Sequence, residues 1–413
     1  MSWACLFVYD PPIRASDEIS HGALYVSGTE PRIGISSKLL IFISSAAVLC
    51  NYYYLYFISF TEGESESGSY GLLKIIGIAC VCVALLRPAI CTKYVLEKAI
   101  LIALLLIATL IFLFKAVALG LSDAMFLNTV LCLMPLLIFR WRDAGRRVDV
   151  FFECCLLVML LQVCIDFYIY FANLSIWENK AFIGGLGNPS SFGLVCNMLI
   201  AYILFERRPK VSSVLYFLGL CVGVVMTSSM LSSIALGLVL VAWVAQRLSL
   251  KKIMLILIGA IALPVVVMNF ASDHLVYKMN SAINIFDDSP SSDSSRSVSL
   301  RVEIHKTYLD NLEKNPLQGV LYGFDDSSYM KFDSQILTYA SSFGFVYTLL
   351  FFAVITLFML KSAIRKDYFS TLCLLLFSIT FATNRILDYY PLPLFLGLII
   401  AISSSRSRMR VEQ

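Results

Sequence analysis

Apolar residues run along this chain in long unbroken stretches and do not alternate with polar ones, which predicts buried or membrane-crossing helices and not barrel strands. A hydrocarbon core about 30 Å thick takes about 20 mostly apolar residues to cross at ~1.5 Å each. Stretches of that kind fall at 39–60, 71–90, 96–119, 124–139, 151–172, 189–205, 212–228, 231–246, 253–271, 336–360, 368–384 and 389–403. The polar run Thr227, Ser228, Ser229, Ser232 and Ser233 leaves open a reading of 212–246 as one bent unit. The expected fold class is all-α: a polytopic integral membrane protein of about 12 transmembrane helices, with one large external loop carrying an amphipathic helix. Its expected organisation is a cytoplasmic lead-in (1–37), helices one to nine (38–271), a large outer loop (272–335), helices ten to twelve (336–403) and a basic cytoplasmic tail (404–413).

Composition agrees with this pattern. The 413 residues are 59% hydrophobic and only 15% charged, against about 25% charged in soluble domains; mean hydropathy is +0.81. A cytosolic enzyme, a secreted disulfide scaffold and a nucleic-acid-binding domain are excluded. Transporter, channel, receptor and membrane-embedded enzyme stay open, and a net charge of +4 does not separate them.

The placement of charge says more than its sum. Basic residues gather in alternate connections: Arg87, Lys93, Lys98; Arg140, Arg142, Arg146, Arg147; Arg207, Arg208, Lys210; Arg247, Lys251, Lys252; Lys361, Arg365, Lys366; and Arg406, Arg408, Arg410. Arg14, Arg32 and Lys38 precede the first helix, whereas the opposite connections hold Glu62, Glu64, Glu66 and Asp123. The positive-inside rule puts the basic side and both termini in the cytoplasm. Residues 1–37 lack the pattern of a cleavable signal peptide, and no internal repeat points to an inverted-repeat transporter. Cysteines fall in predicted helices, the lead-in (Cys5) or an inner connection (Cys91), so no structural disulfide is expected. Cys80/Cys82 and Cys154/Cys155 lack partners at metal-ligand spacing and read as small apolar packing.

The long outer loop contains a low-complexity tract around Asp287, Asp288 and Asp293, then a helical pattern over 297–314 that Asn315-Pro316 ends. Val298, Arg301, His305, Tyr308 and Leu312 share a stripe, so this helix is expected to lie at the membrane surface or dip into it. It carries Arg296, Arg301, Lys306, Lys314 and His305, where cations are generally scarce. One reading is a solvated amphipathic helix; the other is a phosphate site, because guanidinium forks bind phosphate oxygens bidentately. The run Ile183-Gly-Gly-Leu-Gly187-Asn188-Pro189 before the sixth helix has two readings as well. Its glycines would let backbone amides approach a ligand, or Asn188 would cap a helix starting at Pro189. Asp166 lies within the fifth helix, where a charge is either functional or paired. Arg385 and Asp388 stand at the outer end of a helix, as an interface anchor with a local ion pair or as part of a site. Lys74 and Lys115 fall at helix edges.

Taken in order, these outer elements resemble the O-antigen polymerase and O-antigen ligase family of bacterial membrane glycosyltransferases. Gly187-Asn188-Pro189 ahead of an apolar helix resembles that family's Gly-Asn-Pro-Asn element. Ser299-Leu300-Arg301-Val-Glu303-Ile-His305, followed by Asn315-Pro316-Leu317-Gln-Gly319-Val-Leu-Tyr-Gly323-Phe324, resembles its signature of Arg, Trp, then Pro-Leu-x-Gly-x-Gly. Asp333-Ser334, nine residues, then Gly344-Phe-Val-Tyr347 keeps the ligases' spacing of His, a polar residue and Gly-x-x-Gly. The resemblance spans about 180–350. Departures are His305 for Trp, Leu321 and Tyr347 for Gly, Asp333 for the ligase His, and Ser229-Met230 for a Ser-Arg pair. Loss of the ligase His favours polymerase over ligase.

The resemblance implies transfer of a growing glycan from undecaprenyl diphosphate onto a sugar hydroxyl of a lipid-linked repeat unit, on the periplasmic face of the bacterial inner membrane. A departing diphosphate gains charge and needs fixed cations; Arg296 and Arg301 are assigned to it, with Gly187, Asn188 and Arg385 as further substrate-binding candidates. A sugar hydroxyl benefits from a base, and Asp333 or His305 is the candidate. A metal-independent reaction without cofactor is expected. Expected partners are the undecaprenyl-diphosphate-linked oligosaccharide, membrane lipid and a chain-length regulator protein, with no nucleic acid. The alternatives are an O-antigen ligase acting on lipid A-core and a flippase of lipid-linked oligosaccharide.

Overall fold

The computed structural model of the chain describes residues 34–53, 79–80, 83, 86–88, 95–120, 125–130, 133, 139–141, 146–177, 180–207, 210–246, 306–324, 334–387 and 391–409. These are helical apart from one short antiparallel pair. The helices are α1 (Ile35–Leu49), α2 (Val95–Ala118), α3 (Arg146–Phe171), α4 (Pro189–Phe205), α5 (Val211–Met226), α6 (Met230–Gln246), α7 (Pro316–Leu321), α8 (Gln335–Phe343), α9 (Phe345–Ile364), α10 (Tyr368–Thr383) and α11 (Pro391–Met409). A further helix runs over 306–314. Among the described residues, three helices are long and apolar enough to cross a membrane: Ala99–Ala118 in α2, Arg147–Phe171 in α3 and Phe345–Ile364 in α9. Six more apolar helices, in α1, α4, α5, α6, α10 and α11, are shorter, at 10–17 residues.

Helix α4 is the axis. It is apolar on every face, as a helix buried all round must be, and from Ser191 to Ile203 every residue is buried. Around it pack α3, α5, α6 and α10. At one end of this bundle Phe152 of α3 stacks on Tyr202 of α4 with centroids 4.8 Å apart and meets Phe369 of α10 edge-on at 5.4 Å. There Arg207 forks onto Glu153, Nε to Oε1 at 2.6 Å and an Nη to Oε2 at 2.7 Å, with its guanidinium over the Tyr216 ring. Arg147, Lys210, Lys361, Arg365 and Lys366 belong to helix termini of the same end, where Phe205 meets Tyr368 and the Ser362 hydroxyl bonds that of Ser403. At the opposite end, α5 finishes where the Met226 carbonyl accepts from the Phe182 amide at 3.0 Å. α6 begins there, with the Ser232 carbonyl accepting from Asn197 Nδ2 at 2.8 Å.

Several expected boundaries need correction. In the first apolar stretch, expected at 39–60, α1 ends at Leu49 and a 3₁₀ turn follows at Asn51–Tyr53, with the Leu49 carbonyl accepting from Gln162 Nε2 at 3.0 Å; residues 54–60 lie outside the described residues. Residues 86–88, expected at the end of a helix over 71–90, form β1 and pair antiparallel with β2 (Phe139–Trp141), Arg87 opposite Arg140. The stretch 336–360 is two helices. Gly344 breaks it at φ 82°, ψ 164°, a region open essentially to glycine alone, and its missing Cβ makes room for Leu321 and Tyr322 backbone atoms under 3 Å away. By contrast, the two helices expected at 212–228 and 231–246 are found as α5 and α6, parted by a turn at Ser228 with φ 51°, and the bent-unit alternative falls. The expected helix at 253–271 lies outside the described residues.

Of the segment expected to form the outer loop, the helix at 306–314 is described, and the chain bends at Asn315 before Pro316 opens α7 as its first residue, where proline's missing N–H costs nothing. Tyr308 is buried against Phe324, centroids 5.7 Å apart, with Ala340, Leu312 and Leu337 around them. Lys306, Leu309 and Lys314 are exposed.

Candidate functional site

Polar side chains from four parts of the chain meet at the end of the bundle opposite the basic cluster. The arrangement starts on α3, where Gln162 and Asp166, one turn apart and so on one face, are both buried. Asp166 Oδ2 accepts the Gly184 amide at 2.8 Å and Gln162 Oε1 accepts the Gly185 amide at 2.9 Å. Two hydrogen bonds to successive amides tie the 3₁₀ turn Gly184–Leu186 to α3, and Gly185 sits against Leu49 and Cys50 at the end of α1. Asp166 is therefore engaged by the backbone 18 residues on; its Oδ1 is buried without a hydrogen-bond partner.

From this turn the chain enters α4. Gly187 adopts φ 74°, and a Cβ there would lie 2.7 Å from the Tyr52 ring; the residue is buried. Asn188 is the N-cap, its Oδ1 accepting from the Ser190 amide at 2.8 Å and the Ser191 amide at 3.3 Å, with Pro189 as first helical residue. Turn and cap thus explain both residues' identities, and the loop closes Gly187 to approach from outside.

The next residue faces the cluster. Ser190 Oγ donates to Asn384 Oδ1 at 3.3 Å and lies 3.5 Å from Ser229 Oγ. Ser229 in turn accepts from the Ser232 amide at 3.3 Å and so caps α6, while Thr227 Oγ1 accepts from the Ser229 amide at 3.3 Å. Asn384 and Arg385 follow α10 and are half-buried. Their segment is tied down at Leu387, whose amide donates to Gln335 Oε1 at 2.8 Å. Ser334 Oγ donates to the Phe381 carbonyl at 3.4 Å, which brings the start of α8 to the same place. The α4 and α6 N-termini thus converge, with an arginine one residue from Asn384. Helix N-termini carry a partial positive charge, and the first-turn amides here are already capped, so the chemistry on offer is hydroxyl and side-chain amide hydrogen bonding.

Of the expected site residues, Gly187, Asn188 and Arg385 sit at this end. Arg296, Arg301, His305 and Asp333 lie outside the described residues, as does Asp388; Ser334, next in the chain to Asp333, is at the cluster. Among the described residues no group of three or more His, Cys, Asp or Glu gathers as a metal site would require. Gln162, Ser190 and Asn384 are not among the site residues expected from the sequence; Lys115 stands at a helix edge as expected, in the last turn of α2, and is buried there. Gln162 had a legible signal, a second polar residue four positions before Asp166 in an otherwise apolar helix. Ser190 and Asn384 are 194 residues apart, and no local pattern links them. No protein-family model matches the chain, and no curated protein does either.

Proposed function

We propose that the chain is a bacterial inner-membrane glycan polymerase that moves a growing glycan from undecaprenyl diphosphate onto a sugar hydroxyl of a lipid-linked repeat unit. In this reading it crosses the membrane about twelve times, with both termini and the basic end in the cytoplasm and the polar end in the periplasm. The observation that carries the reading is the meeting of Ser190, Ser229 and Asn384 at the non-basic end, with the Ser334–Gln335 start of α8 bonded to the chain on either side of Asn384. Such a set of hydroxyls and amides suits sugar hydroxyls, and Arg385 adds a cation for the diphosphate beside Arg296 and Arg301. Asp333 or His305 takes the acceptor proton as the anomeric C–O bond to phosphate breaks and the new glycosidic bond forms. Undecaprenyl diphosphate leaves with the bonding electron pair, its charge met by guanidinium groups fixed in advance.

A flippase would need an acid available on a path through the bilayer. The clear intramembrane acid, Asp166, is instead bonded to the Gly184 amide, which weighs against that alternative. The ligase alternative keeps the same donor and differs in acceptor. Glycan ladders from a strain lacking its own polymerase test the reading. Wild-type protein is expected to restore long chains, whereas Arg301→Ala and Arg385→Ala leave single repeat units at normal protein levels. Full-length ladders from both variants would overturn the assignment.

A further inference from the structure

Lys115 lies near the end of the candidate span Ala99–Ala118 and is 1% exposed. A buried ammonium in an apolar helix is costly unless it is hydrogen-bonded, and Lys115 is bonded. Lys115 Nζ donates to the Phe324 carbonyl at 2.9 Å and the Ser342 carbonyl at 3.0 Å, groups 209 and 227 residues further on. Ser342 is in the last turn of α8, where carbonyls have no intrahelical donor and the helix dipole is negative. The neighbouring carbonyls are met in series. Ala340 accepts from the Gly344 amide at 3.0 Å and Ser341 from the Phe324 amide at 2.6 Å. One cation therefore closes the C-terminal end of α8 and locks the end of the 316–324 segment onto it.

The other end of α8 is held at the polar cluster, through Gln335 Oε1 to the Leu387 amide and Ser334 Oγ to the Phe381 carbonyl. Nine residues of helix make a strut about 13 Å long, and nearly all of it is buried. A shift at the Lys115 end is carried to the segment that bears Asn384 and Arg385. We propose that Lys115 is a positioning residue: by pinning Phe324 and Ser342 it sets, through α8, where the Asn384–Leu387 segment sits in the site. Its effect on turnover rests on the polymerase reading; its hold on α8 does not.

Hydrogen exchange on purified full-length protein, followed by mass spectrometry, reads the second point without any activity. In Lys115→Met, which keeps the stem and loses the ammonium, exchange is expected to quicken by about ten-fold or more at Phe324 and Leu387, with Leu194–Ala201 of α4 unchanged. In a chain-extension assay per folded protein, kcat should fall by about ten-fold or more while KM moves less than about three-fold. Lys115→Arg, which keeps a cation, should recover part of both effects. If Lys115→Met does not fold, Lys115→Gln, with a donor on a shorter stem, carries the same comparison. Unchanged exchange at Leu387, or loss of protection spread evenly through α4, overturns the proposal. A wild-type protein that extends no chains overturns the polymerase reading, and the exchange data then decide the pinning by themselves.

Discussion

Replacing Gln162 by leucine removes the most connected side chain beneath the site without leaving a hole, since the two are similar in volume. Gln162 is fully buried; it accepts the Gly185 amide at 2.9 Å and donates to the Leu49 carbonyl at 3.0 Å and Cys50 Sγ at 3.4 Å. Leucine strands one main-chain donor and one main-chain acceptor in an apolar setting. Each orphan costs about 1–3 kcal/mol, which sets an upper range of about 2–6 kcal/mol for the pair. Side-chain hydrogen bonds between membrane helices average only ~0.6 kcal/mol, because freed groups find new partners. Here both orphans are backbone groups held in place by their own turns and have no rotamer to turn elsewhere, so the larger figure governs, at about 3 kcal/mol after some sagging of the loop. A thermal midpoint lower by roughly 5 °C or more follows. A fluorogenic maleimide measures it directly in detergent, because Cys155, Cys196 and Cys373 are free and buried and react once the bundle opens. Cys50→Ala, which removes only the weak sulfur acceptor, should stay within about 1 kcal/mol of wild type. Equal midpoints for the two variants would refute the claim that Gln162 holds the glycine turn.

The remaining expectations concern the turn, the kink and the chemistry. Gly344→Ala forces a Cβ to within 2.8 Å of three backbone atoms at φ 82° and should cost at least about 2 kcal/mol, seen in the same thiol assay; a neutral result would remove the kink from the account. Asn188→Ala loses the cap on α4 and should lower stability by about 1 kcal/mol, with Asn188→Ser recovering most of it. Asp333→Asn should abolish elongation while leaving membrane insertion and abundance intact; normal ladders would dismiss Asp333 as the base. Chain growth should survive a chelator, and strict dependence on an added divalent ion would contradict the metal-independent reaction.

Long apolar runs made α2, α3, α4, α5, α6 and α10 legible to within a few residues, because a helix bonds its own backbone and needs only local sequence. The α4 start was clearest, since Asn188-Pro189 announces both the cap and the first turn. Breaks inside apolar runs were not legible. Gly344 stands among apolar residues, and only the approach of Leu321 and Tyr322, more than twenty positions earlier, demands glycine there. The β1–β2 pair joins residues about fifty apart at the fringes of two apolar stretches, where helix and strand look alike. At the site, Gly187, Asn188 and Arg385 were legible as candidates, but the partners that define it were not. Ser190 with Asn384, and Lys115 with Ser342, are pairs made by packing; Lys115 stands out as a charge in an apolar helix, but nothing local names its partner.

Chain growth in a defined membrane tests the central claim most directly. Purified protein in liposomes is supplied with undecaprenyl-diphosphate-linked repeat units and no lipid A-core, and products are resolved by length alongside released undecaprenyl diphosphate. The account predicts a ladder of lengthened lipid-linked glycan, with one undecaprenyl diphosphate released per bond formed, and its loss in Arg385→Ala. Repeat units that stay single, with no diphosphate carrier released, would contradict it.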